Sequence, residues 1–150
     1  MFNLFITLTN IPLLYAILLS YSKKDYITFF ILFATVISSI TFHLYHELSI
    51  NWNNINILLS VGVFLRIGYF YLATNKYSLI KCLNDDLIPS IIIGFIFNIL
   101  SMAINNMYIS TFYHCLWHLY IFSIIYVIME EMYSGKKFNF YLGDLDDQNN

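Results

Sequence analysis

All four histidines of the chain fall into two pairs, His43/His46 and His114/His118. His114 and His118 are four residues apart, so on a helix both imidazoles share one face and can offer two nitrogens to a single ion. Ser39 stands in the same relation to His43, which sets a hydroxyl one turn from an imidazole. Three imidazoles plus a water make an open tetrahedral zinc site of the hydrolytic kind, where the metal brings the pKa of its water to about 7. His43 joins His114 and His118 most naturally; His46 serves equally well facing headgroups. Glu47, four residues after His43, can orient that ring or act as a base, or it can stand as an interfacial carboxylate in water. Asn53, Asn54 and Asn56 can bind a ligand or a metal-bound water, or cap a helix start. For the histidines themselves the competing reading is an aromatic and imidazole belt at a membrane interface, which Trp117 beside His118 fits.

These side chains can converge only if separate elements carry them to one depth. The chain has 150 residues, 59% hydrophobic, 19% aromatic and 11% charged. A water-soluble domain carries roughly 25% charged residues, so soluble globular, disordered and coiled-coil classes are excluded, and an all-α integral membrane bundle is expected. A net charge of −2 offers no basic field for nucleic acid. Two cysteines are too few for a disulfide framework.

A helix needs about 20 largely apolar residues to cross the hydrocarbon layer. Five such stretches are expected, at about 2–21, 26–46, 55–73, 87–104 and 110–129. They make residues 1–131 one transmembrane domain, followed by a polar tail over 132–150. The first stretch has no basic residues before it and a Lys23-Lys24 pair after it, so it reads as a retained helix rather than a cleaved signal peptide. The basic residues lie at Lys23/Lys24, Lys76/Lys81 and Lys136/Lys137, in alternate connections, while the other two connections carry no Lys or Arg. The positive-inside rule then places the N-terminus outside and the tail in the cytoplasm. In that topology the second span ends, and the fifth begins, at the non-cytoplasmic face, so both histidine pairs share one shallow layer.

Two further polar residues fall within spans. Arg66 is expected near mid-bilayer in the third span, where a charge costs about 2.5–3.5 kcal/mol on insertion scales and must face protein. Asn98, at similar depth in the fourth span, is a candidate partner. Both read as bundle structure or a headgroup contact rather than as catalytic groups.

Leu8-Thr9-Asn10 near the start, Ser39-Ile-Thr-Phe-His43 on the second span and His114-Cys-Leu-Trp-His118 on the last are similar to motifs of the myomaker family and its transmembrane-protein-8 relatives. That family sits in the CREST superfamily with alkaline ceramidases and adiponectin/progestin-type receptors. The resemblance, best over 5–47 and 108–128, implies a zinc-dependent lipid hydrolase core with the N-terminus outside. It implies zinc ligation by His43, His114 and His118, and a hydrogen bond from Ser39 to the substrate carbonyl or its oxyanion. The chain departs from the family by having five spans rather than seven. It also has no match for the family's Asp on the third helix, so Glu47 must supply the base if the site is active.

Two functions follow. One is a zinc-dependent hydrolase of an ester or amide bond in a membrane lipid. The other is a non-catalytic membrane protein: a scaffold, a fusion factor or a subunit of a larger complex. The few small residues in the spans favour the second reading together with homo-oligomerisation or a membrane-protein partner, because close helix approach uses small side chains. Ion transport has little support, since no acidic residue lies within an expected span.

Overall fold

The structure is a computed structural model and describes residues 2–44, 50–74, 76 and 87–135. Within those residues the fold is all-helical. The helices are α1 (Phe2–Leu8), α2 (Ile11–Ser22), α3 (Tyr26–Leu44), α4 (Ile50–Thr74), α5 (Leu87–Ala103) and α6 (Met107–Ser134).

Local chemistry explains where these helices start and stop. The expected first span is split into α1 and α2. Pro12 has no N–H to extend the ladder from α1, and it sits instead in the first turn of α2, where a donor is not needed. The Asn10 amide covers the open end of α1 by donating to the carbonyls of Ile6 (3.4 Å) and Thr7 (3.1 Å). α2 closes through the Lys23 N–H to Leu19 O and the Asp25 N–H to Ser20 O, both 3.0 Å, with Lys24 left-handed at φ 60°. Asp25 then caps α3, its Oδ1 accepting from the Thr28 N–H at 3.1 Å.

Asn106 starts α6 by accepting from the N–H groups of Tyr108 (3.0 Å) and Ile109 (3.2 Å), and Gly135 at φ 69° ends it with an N–H to Glu131 O at 2.9 Å. The last helix is therefore longer at both ends than the expected 110–129, and Glu131 lies buried inside it rather than marking its border. α4 also begins earlier than expected, at Ile50 rather than residue 55, so Asn54 sits inside a helix and not at its cap.

α6 is the central element and packs on α1, α2, α4 and α5, while α3 packs on α1, α2 and α4. Leu13, Leu32 and Met129 are the largest fully buried apolar side chains at this junction, and Phe30, Leu65 and Met102 lie outward and exposed. Three segments are long and apolar enough to cross a membrane: Phe5–Ser22, Tyr26–His43 and Met107–Ser134. Ile57–Ala73 and Leu87–Ala103 are shorter apolar helices, at the lower end of spanning length. The chain is a helical membrane protein whose outward apolar surface suits lipid.

Arg66 does not pair with Asn98. Its Nη2 bonds Asp25 Oδ2 at 2.9 Å and its Nε donates to Thr28 Oγ1 at 2.9 Å. The Thr28 hydroxyl in turn donates to Asp25 Oδ2 (2.7 Å), and the Tyr133 hydroxyl donates to the same oxygen (2.8 Å). The guanidinium also lies 4.6 Å from the Phe70 ring centroid. The reason is reach: a long side chain can run along apolar neighbours and set its charge nearer the helix end than its own Cα. A carboxylate waits there at the start of α3. The result ties α3, α4 and α6 together at the Lys23–Asp25 end of the bundle.

Candidate metal centre

The opposite end of α3 and the first turns of α6 carry the histidines. His43 lies in the last turn of α3, His114 and His118 two and three turns into α6. Their ring centroids are 5.1 Å (His43–His114), 5.4 Å (His43–His118) and 4.6 Å (His114–His118) apart. One nitrogen from each ring lies within 4.8 Å of the other two. Zinc–nitrogen bonds of about 2.0–2.1 Å require tetrahedral ligand nitrogens to be roughly 3.3 Å apart, closer than the 4.8 Å that bounds this cluster, so the rings would have to turn towards one another to share an ion. His114 Nε2 is buried without a hydrogen-bond partner. An ion would satisfy such an orphaned nitrogen.

A cavity of about 590 Å³ opens beside the cluster, within the range of small-molecule sites. Its polar wall includes Ser39, Asn98 and the three imidazoles, and its apolar wall includes Val63, Phe64 and Ile121. Ser39 is 4% exposed and lines this cavity. Asn98, expected beside Arg66, lines this cavity instead. Asn54 is exposed and is not part of the wall. His46 and Glu47 lie outside the described residues, as does the side chain of Asn56.

Thr9 is the site residue that sequence reasoning treated only as part of a motif. It sits at the break between α1 and α2, 7% exposed, with Oγ1 3.1 Å from His118 Nδ1. The available signal was the polar Leu-Thr-Asn-Ile-Pro interruption within an apolar run. Its partner, 109 residues away, has no local signature.

No family model matches the chain, and no solved structure matches it. The chain is similar to an uncharacterized protein of Acanthamoeba polyphaga mimivirus, 26% identical over 151 aligned positions that cover 87% of this chain and 97% of the relative. The likeness thus extends over nearly the whole of both proteins.

Proposed function

We propose that this protein is a zinc-dependent hydrolase of an ester or amide bond in a membrane lipid, a reduced relative of the CREST-type hydrolases. The supporting observation is the set of three imidazole nitrogens within 4.8 Å of one another on the wall of a largely apolar cavity. His43, His114 and His118 would hold the ion. When bound, zinc supplies a Lewis acid and a water that ionises near neutral pH. The chain's own groups do the rest. The Ser39 hydroxyl can donate to a carbonyl oxygen in the cavity, and does so more strongly as that oxygen gains charge. Val63, Phe64 and Ile121 exclude water and give an acyl chain an apolar wall. Glu47 is the candidate proton acceptor.

A second reading is favoured by one observation: among the described residues no carboxylate lines the cavity. Without a base the three histidines have no proton acceptor to work with, which suits a non-catalytic scaffold, fusion factor or subunit.

Metal analysis of detergent-purified protein beside a His114→Ala/His118→Ala variant tests the metal site. About one zinc per chain, lost in the variant, is the expected result, and no zinc in the wild type would sink the hydrolase reading and leave a non-catalytic membrane protein. Assay of the loaded protein against phospholipid and ceramide vesicles then separates them. Hydrolysis that falls about 10²-fold or more in Ser39→Ala supports the enzyme; loaded protein with no turnover supports the non-catalytic reading.

A further inference from the structure

We infer that Thr9 is a positioning residue that fixes His118 as the Nδ1–H tautomer and so makes Nε2 its metal-binding nitrogen. The inference rests on the metal-site reading above and deepens it. It follows from counting protons. The Thr9 hydroxyl has one hydrogen, and Oγ1 lies 2.6 Å from the Ile6 carbonyl oxygen, which can only accept. With its hydrogen committed there, Oγ1 can only accept from His118 Nδ1 at 3.1 Å. Nδ1 is therefore protonated, and in the neutral ring the lone pair lies on Nε2. Thr9 is 7% exposed and His118 is 6% exposed, so water has little access to replace either partner.

The break in the first span has a purpose in this arrangement. In an unbroken helix the Thr9 hydroxyl has the same carbonyl to bond, as threonines in helices commonly do. The helix end, though, turns the backbone at Thr9–Asn10, and the Asn10 amide holds that turn through Ile6 and Thr7. Asn10 is 2% exposed, so the turn is embedded rather than a loose surface feature. α1 packs on both α3 and α6, the two helices that carry the histidines. The Ile6 carbonyl, Thr9 hydroxyl and His118 ring form a relay from the first span to the last. Hydrogen-bonded partners of this kind orient a ligating imidazole, and their loss typically lowers metal affinity 10- to 100-fold.

Two measurements on the full-length, detergent-purified chain test this. The first is Co2+ titration, followed by the visible bands of the bound ion, in wild type, Thr9→Val, Thr9→Ser and His118→Ala. Thr9→Val keeps the side chain's shape and removes the acceptor, so its affinity should fall about 10- to 100-fold. Thr9→Ser, which keeps the hydroxyl, should stay near wild type. Equal affinity in wild type and Thr9→Val overturns the role of Thr9 while leaving the metal site intact. No Co2+ binding by wild type overturns both. The second is 15N NMR of the histidine rings in metal-free wild type, with the His118 signals assigned by their loss in His118→Ala. Protonated Nδ1 and bare Nε2 are expected; the reverse overturns the inference, even if Thr9→Val fails to fold.

Discussion

Asp25 shows how much a single residue can carry. One of its oxygens accepts from a threonine, an arginine and a tyrosine, and the other caps a helix. Burial pushes its carboxyl up, but the Thr28 hydroxyl and N–H, the Tyr133 hydroxyl and the Arg66 guanidinium outweigh it and hold the group below its ordinary 3.8. A carboxylate with a depressed folded pKa contributes stability that is full above its unfolded pKa and lost as pH falls through the folded one. The purified protein should therefore lose thermal stability on acidification below about pH 4, and Asp25→Asn should remove that part of the acid dependence. An unchanged acid profile in the variant would show that other groups carry it. Asp25→Ala, which also deletes the cap, should cost about 1–3 kcal/mol at neutral pH. Little of this is visible in the sequence. The four-residue spacings of Ser39/His43 and His114/His118 can be read because a helix brings such neighbours together by its own geometry. Asp25 has partners 41 and 108 residues away, and no local pattern encodes them. The same blindness led to Asn98 as the expected partner of Arg66.

At the scale of elements, hydropathy marks five apolar stretches, and their inner boundaries agree closely with α2, α3 and α5. It fails where polar side chains work on the backbone: at the Thr9–Pro12 break, which is short enough to be averaged away, and at Asn106, whose cap adds a turn before the apolar run. Gly94 lies at the α5–α6 contact, facing Trp117 and Tyr120. A Cβ built there lies 3.7 Å from the Trp117 and Tyr120 rings, an ordinary contact. Gly94→Ala should therefore be neutral or mildly stabilising, since alanine is the better helix former. Gly94→Phe has nowhere to put its ring without displacing Trp117, and it should cost about 1–3 kcal/mol, read as a lower melting temperature in detergent. Because Trp117 lines the cavity, the same variant should also weaken binding of any molecule the cavity accepts.

For the whole molecule, composition alone gives the class, because a chain with so few charges cannot clothe itself in water. Which helices touch is not in the composition. α6 is central because it is the longest described helix and touches four others, an arrangement that its sequence, apolar around most of its circumference, permits but does not dictate. The four-residue spacings place histidines on two helices; only the packing of both helices on α1, α2 and α4 brings the rings into contact. Orientation across the membrane is open to a direct check: the positive-inside distribution predicts that a reporter fused after Asn150 is cytoplasmic. A reporter found on the other side would mean that the histidine layer faces the cytoplasm.

α3, α4 and α6 are fastened by Asp25, Arg66 and Tyr133 at one end and flank a hollow at the other. Their arrangement is that of a pair of tweezers, joined at one end and parted at the other, which should be stiff at the joint and more compliant at the tips. An ion held between the tips would do for them what the carboxylate does for the joint. Metal-free protein should accordingly exchange its amide hydrogens faster over 39–43 and 110–118 than over 26–30 and 126–133, and loading should erase most of the gradient. Equal exchange at both ends would mean that the hollow is as rigid as the joint, and that whatever enters it must fit a mould rather than part a pair of jaws.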